Sequence, residues 1–144
     1  MTALLAVAGN GALKGLKTWA LLLKIVLPVY IAVILIKHSP LMPFLTELFA
    51  PAMGFLNMPG EAAAPIIAGI LSDEYGCIAA MGGFHFGAVA VTTIAMINLC
   101  FHSIPVESAI NRKIGFAVWR IALFRLCLAV LVGLAVSRLG VLLP

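Results

Sequence analysis

Charge is the property that this sequence lacks most. Only 10% of its 144 residues are Asp, Glu, Lys or Arg, whereas 64% are hydrophobic and the mean hydropathy is +1.20. Soluble domains carry about 25% charged residues. The composition therefore excludes an ordinary soluble fold.

The apolar residues are concentrated in three long runs, at residues 19–36, 82–101 and 115–136. As helices that rise about 1.5 Å per residue, these runs match a hydrocarbon core of about 30 Å. They lack the period-two alternation of a transmembrane barrel. We therefore predict an all-α integral membrane protein with about three spanning helices.

Groups suited to catalysis or metal binding are also scarce. The three histidines, at positions 38, 85 and 102, lack the clustering typical of a metal site. The three cysteines, at 77, 100 and 127, are odd in number and lack CxxC spacing, so we interpret them as small buried hydrophobic residues. We expect no catalytic residues, no metal, no cofactor and no enzymatic activity.

The net charge of +4 comes from basic residues beside the apolar runs, which indicates membrane orientation and not nucleic-acid binding.

The apolar runs and the prolines divide the single predicted domain, residues 1–144, into segments. These are an N-terminal interfacial helix at 1–17, a span at 18–36, an interfacial helix at 40–56, a re-entrant helical hairpin at 59–81, a span at 82–101 and a span at 115–138. The hairpin is predicted because two short apolar arms flank the polar tip at residues 72–76, and neither arm can cross a bilayer alone. Ser72 or Asp73 is expected to cap the returning arm.

The basic residues give an orientation. Lys14 and Lys17 precede the first span, and Arg112 and Lys113 lie in the predicted loop at 102–114. If these two regions share the cytoplasmic side, most basic residues lie inside the cell. We therefore expect a cytoplasmic N-terminus in an inner or plasma membrane, with a hairpin that returns to its own side.

Two stretches carry a family resemblance. The stretch "LNMPGEAAAPIIAGILSDEYGCIAAM" contains Pro59-Gly60-Glu61, and "CFHSIPVESAINRKIG" contains His102, Pro105 and Glu107 in a His-x-x-Pro-x-Glu pattern. Together they resemble the Gate, or nucleoside recognition, family of membrane domains over roughly residues 15–140. Relatives include the spore maturation proteins A and B, the membrane domain of the ferrous-iron transporter B family and, more distantly, the concentrative nucleoside transporters. The resemblance implies hairpins whose tips meet near the membrane centre, often in two inverted repeats that flank a substrate path, and this chain has the length of a single Gate-like repeat.

Arg125 and Glu61 are the first candidate site residues. A last helix that begins near Arg112 or Gly115 would place Arg125 about 15 to 20 Å along it, near the bilayer midplane. An arginine there must face protein, water or an acid, because a lipid-facing charge costs several kcal/mol. Glu61 is either a helix-start carboxylate favoured by the helix dipole or an acid near the membrane centre, paired with Arg125 or with a cationic ligand.

The remaining candidates lie in or near the predicted loop at 102–114. Asn98 lies four residues before His102, so both project from one helix face. Glu107 can reach back to His102 if Pro105 breaks the helix between them. These groups form either a ligand-binding or proton-linked His–Glu pair, or a surface loop that completes a helix end. The adjacent acids Asp73 and Glu74 are expected in a solvated turn.

The predicted substrate-binding set is thus Glu61, Asn98, His102, Glu107 and Arg125. The leading hypothesis is a membrane transport-type protein that works as a homodimer or with a second Gate-like subunit. The two units would form a path or pocket for a small polar solute or ion. The alternative hypothesis is an interaction subunit that does not transport and belongs to a larger spore-maturation-like or signalling complex.

Overall fold

The computed structural model describes residues 2–142, so Met1, Leu143 and Pro144 of the predicted domain lie outside the described residues. The described residues contain no β-strand, which confirms the all-α prediction. Their helices are α1 (Thr2–Lys37), α2 (Leu41–Phe55), a 3-10 turn (Gly60–Ala62), α3 (Ala63–Leu71), α4 (Glu74–Met81), α5 (Ala88–Cys100), α6 (Ile104–Lys113) and α7 (Val118–Leu142).

Three parts of the structure are long and apolar enough to cross a membrane: Val7–Lys37, Ala88–Lys113 and Val118–Gly140. A fourth is counted if the pair Leu41–Phe55 and Gly60–Leu71, bent by 98°, is a single broken span. Helix α1 joins the predicted segments 1–17 and 18–36 without a break. With 36 residues it is about 54 Å long, which exceeds the hydrocarbon core.

The third membrane segment differs from the predicted span at 82–101. Helix α5 begins only at Ala88 and ends at Cys100, and α6 resumes at Ile104 where a loop was expected. Ser103 adopts a left-handed backbone conformation (φ 50°), which turns the chain between the two helices. Pro105 lies in the first turn of α6, where its missing N–H leaves no helical hydrogen bond unmade. The residue read as a helix breaker therefore starts the second half of a broken membrane segment.

Helices α3 and α4 form a helical hairpin within the segment 59–81. Asp73 caps α4, because its Oδ1 accepts a hydrogen bond of 2.9 Å from the backbone N–H of Gly76. This confirms one of the two expected caps. The arms contain nine and eight residues, so each is only about 12 to 14 Å long and reaches less than halfway through a hydrocarbon core of about 30 Å.

The hairpin base lies at one end of the helical bundle. The Lys37 ammonium donates a hydrogen bond of 2.6 Å to the carbonyl of Gly83 and lies 5.0 Å from the ring centre of Phe84. At the same end, a side chain at Gly140 would contact Val89 at 2.6 Å, so the start of α5 lies against the end of α7. The hairpin tip points away from this end, toward the break between α5 and α6.

The hairpin and α5 share one apolar core. Its buried members come from α2, the 3-10 turn and helices α3, α4, α5 and α7, and they include Met53, Ile66, Cys77, Ile94 and Ala129. Glycine allows α7 to approach α5 closely, as is typical of membrane helices. A side chain at Gly133 would lie 2.8 Å from Ile97. This close packing fixes the broken segment relative to the last helix.

Candidate functional site

The hairpin tip is docked on the break between α5 and α6, which we call the corner (residues 101–103). The backbone N–H of Ser103 donates to the carbonyl of Gly69 at 3.1 Å, and the Ser103 hydroxyl donates to the carbonyl of Ser72. The left-handed conformation of Ser103 aims both groups at α3. The last turn of α3 therefore finds partners for its free carbonyls outside its own helix.

A group of four charged or titratable side chains, which we call the tip cluster, surrounds this contact. It consists of Glu74, His102, Glu107 and Arg125. His102 Nε2 lies 2.9 Å from Glu74 Oε1 and 3.7 Å from Glu107 Oε1. Glu107 Oε2 pairs with Arg125 Nη1. Four helices thus contribute to one site, since Glu74 begins α4, His102 follows α5, and the other two lie on α6 and α7.

Backbone carbonyls complete the tip cluster. Arg125 Nε donates to the carbonyl of Cys100 at 2.8 Å, and His102 Nδ1 lies 2.9 Å from the carbonyl of Asn98. Both carbonyls belong to the last turn of α5; the Asn98 carbonyl also accepts from the backbone N–H of Phe101 at 3.1 Å. The helix break therefore supplies acceptors to the arginine and to the histidine.

The two cationic or potentially cationic groups are the better shielded members. The side chains of Arg125 and His102 are 16% and 19% exposed, against 35% for Glu107 and 39% for Glu74. Arg125 faces an acid and a carbonyl, as its place in an apolar helix requires. Because α7 begins at Val118, Arg125 lies about 10 Å along the helix, which is shallower than predicted.

The side chain of Asn98, a residue of α5, packs against the hairpin. Its side chain is buried, and its Oδ1 has no hydrogen-bond partner. The amide lies against Gly69, where any Cβ would overlap it. His102 lies beyond the end of α5, and it is the Asn98 carbonyl, not its amide, that contacts the histidine.

Glu61 does not join the other candidates. It is exposed in the 3-10 turn at the hairpin base, about 15 Å from the tip along α3. The predicted pairing with Arg125 does not form, because Glu107 occupies the guanidinium. The structure brings together Asn98, His102, Glu107 and Arg125 and leaves Glu61 apart.

Glu74 is the site residue that sequence reasoning missed. It was expected in a solvated turn, yet it makes the shortest contact to His102. One signal was available in the sequence, namely an acid in the first turn of a returning arm whose N-cap is Asp73. Its partner was not readable, since the contact joins residues 28 positions apart through the docking of two separate elements.

The cavities near the site differ in character. An apolar cavity of about 320 Å³ lies between α1, α2 and α3, and another of about 220 Å³ lies between α2, α3, α5 and α7. Neither contains a member of the tip cluster. A narrow crevice between α6 and α7 is lined by Glu107, Ser108, Asn111 and Arg125, among others. No group of three His, Cys, Asp or Glu residues within 2–142 has the geometry of a metal site.

These features define a helical membrane protein in which a hairpin is docked on a broken helix through partly shielded polar and charged groups. The family model of the Gate domain, described as "Nucleoside recognition", matches residues 19–141, and the chain belongs to this family. It is 30% identical over 128 residues to the "Uncharacterized membrane protein YvoD" of Bacillus subtilis (strain 168), a match that covers 88% of this chain and 41% of YvoD. The chain thus spans about two fifths of that relative. No solved structure matches it.

The ion pair between Glu107 and Arg125 gives a stability prediction. Arg125→Gln is expected to lower the free energy of unfolding by about 1 to 3 kcal/mol, because it leaves the Glu107 carboxylate and the Cys100 carbonyl without their donor. The double variant with Glu107→Gln should be less destabilised than the sum of the two single changes. Thermal unfolding in detergent measures both.

Arg120→Gln is the matched control for this measurement. Arg120 lies on the same helix but is exposed beside the indole of Trp119, with its guanidinium 5.5 Å from the ring centre. Its loss should change stability much less. Equal effects of the two arginine substitutions, or additive effects in the double variant, would contradict the assigned pairing.

Proposed function

We propose that this chain is a transport-type membrane unit whose tip cluster lines a path for a small polar solute or ion. The observation that carries the proposal is the position of the charges. Glu74, His102 and Glu107 meet where the segment Ala88–Lys113 is broken. Irregular backbone at membrane depth is tolerated only where protein buries it or where it lines a water-filled cavity, and transporters bind ligands at such breaks. The proposal includes no enzymatic activity.

We also propose that the path is completed by a second Gate unit, either another copy of this chain or a separate subunit. The charges of the tip cluster pair with one another within one chain, so they give no reason for a second unit. The hairpin provides a better reason, because its arms reach less than halfway through the bilayer. Residues 7–21 of α1 are all exposed, so no described part of this chain packs beside them. A relative more than twice as long as the matched segment has room for a second unit of this size.

The proposed orientation has a cytoplasmic N-terminus in an inner or plasma membrane. With α1, α5–α6 and α7 as three crossings, Lys14 and Lys17 lie on the same side as Arg112 and Lys113. Fewer basic residues remain on the other side, and the bias favours the cytoplasm for the richer side. The hairpin α3–α4 then enters and leaves on one side, as a re-entrant element, and the bent pair α2–α3 does not cross.

Transport can be tested in proteoliposomes with two probes, ⁸⁶Rb⁺ as a small cation and radiolabelled uridine as a nucleoside. We expect uptake of one probe above that of protein-free vesicles. Glu107→Gln and Arg125→Gln should each reduce it by about tenfold or more, which corresponds to about 1.4 kcal/mol of lost stabilisation along the path. Glu47→Gln, an exposed acid on α2, is the control and should transport normally.

The same preparation distinguishes the alternative, an interaction subunit that does not transport. That function would give no uptake of either probe and a foreign membrane protein cross-linked in fixed stoichiometry. Uptake that is unaffected by both cluster substitutions would contradict a path at the tip cluster while leaving transport itself in place.

The orientation can be tested with reporters fused after Pro144. Three crossings place this end outside the cytoplasm, so fused alkaline phosphatase should be active and fused green fluorescent protein dark. The opposite pattern would contradict the proposed orientation with three crossings. Activity of both reporters would indicate two orientations of the chain.

A further inference from the structure

We infer that the tip cluster binds one exchangeable proton, held between His102 and Glu74, and that this proton fastens the hairpin tip to the corner. The proton site follows from hydrogen-bond chemistry at the two nitrogens of His102. Its role as the coupling ion of a transport cycle rests on the proposed function.

The first step concerns His102 Nδ1, which lies 2.9 Å from the backbone carbonyl of Asn98. A carbonyl oxygen can only accept a hydrogen bond. Nδ1 must therefore carry the hydrogen, and in a neutral imidazole this leaves Nε2 with a lone pair and no hydrogen.

The second step concerns His102 Nε2, which lies 2.9 Å from Glu74 Oε1 and 3.7 Å from Glu107 Oε1. An ionised carboxylate is also an acceptor only. A neutral His102 and two carboxylates would thus direct lone pairs at one another. A contact of 2.9 Å requires a hydrogen between the atoms, so either the imidazole is an imidazolium or Glu74 is a carboxylic acid.

The neighbouring groups cannot supply this hydrogen. From α7, Arg125 faces the histidine only through Glu107 and is committed to that carboxylate and to the Cys100 carbonyl. From the hairpin tip, Asp73 is an acceptor engaged by the N–H of Gly76. Glu107 on α6 has its second oxygen on Arg125. The hydrogen must come from outside as a proton, and it returns to water when it leaves.

The proton sets the net charge of the tip cluster. With the proton, two carboxylates face two positive groups, Arg125 and the imidazolium of His102. Without it, the cluster carries one uncompensated negative charge.

Loss of the proton has a mechanical consequence. Glu74 is the first residue of α4 and lies directly behind the tip. Removing the hydrogen leaves His102 with one N–H for two acceptors. While Nδ1 keeps that hydrogen for the Asn98 carbonyl, Nε2 and the Glu74 carboxylate oppose lone pairs, so the Glu74 side chain is repelled from the corner. The hydrogen bonds of Ser103 to α3 then remain as the polar attachment of the tip. Protonation thus favours a docked hairpin, and deprotonation favours a displaced one that opens His102 and Glu107 to the path.

Glu74→Gln tests the inference, because the glutamine amide brings its own N–H. It can donate to a neutral His102 Nε2 and preserve the contact without a proton. For the wild-type protein in detergent, we expect hydrogen exchange in residues 74–82 to rise several-fold from about pH 5.5 to about pH 8.5, after correction for the intrinsic pH dependence. In Glu74→Gln the corrected exchange should be equal at both values.

Three controls separate this effect from general pH sensitivity. Glu47→Gln makes the same chemical change at an exposed acid on α2, and His38→Gln and His85→Gln alter the two exposed histidines. All three should keep the wild-type difference between the two pH values, whereas His102→Gln should lose it.

The inference is overturned if Glu74→Gln retains the wild-type pH dependence, or if exchange in the wild-type hairpin is the same at both pH values. The readout needs no transport. Failure of the uptake assay alone would therefore overturn the proposed function and leave the proton site standing. A flat exchange profile with intact uptake would overturn only the proton site.

Discussion

The structure depends on one contact, the docking of a hairpin tip onto the corner at residues 101–103. Two hydrogen bonds from Ser103 satisfy carbonyls at the end of α3. At the same corner the carbonyls of Asn98 and Cys100, in the last turn of α5, contact His102 and Arg125. A continuous α5–α6 helix would offer none of these groups. The broken helix and the short hairpin therefore require each other, because each end would otherwise leave polar backbone unsatisfied in an apolar setting.

Charge placement follows from the same contact. Arg125 is acceptable in an apolar helix because Glu107 and a free carbonyl meet it, and Glu107 is in position because α6 restarts at Ile104. Contacts elsewhere in the chain fix the positions of the hairpin and of helices α5 and α7. Lys37 binds the hairpin base, and glycines on α7 bring that helix against α5. In this chain, the apolar helices thus form a frame around a hairpin tip that is held by polar contacts.

Much of the fold could be predicted from the sequence, because hydropathy, short apolar arms and the Asp73 cap are local signals. The sequence also indicated that Arg125 needs an acidic partner, but it did not indicate which acid. Glu61 was considered as the partner of Arg125 because it starts a hairpin arm, whereas the observed partner, Glu107, lies on α6. The span predicted at 82–101 differs from the observed α5–α6 segment because Pro105 was read as a helix terminator. A proline in the first turn can also begin a helix. Glu74 was missed because its shielding arises only when the hairpin docks, which no local pattern records.

The central claim is that the hairpin tip lies inside the membrane yet faces a water-accessible path. Thiol labelling tests it most directly, in a chain whose native cysteines are replaced by alanine. Single cysteines at Tyr75, beside the tip, and at Leu99, on the outer face of α5, start from exposed positions, 45% and 58% in this structure. The account predicts fast reaction of Tyr75→Cys with a membrane-impermeant maleimide and slow reaction of Leu99→Cys, which lipid covers. Equal rates at the two positions, or no reaction at Tyr75→Cys, would contradict it.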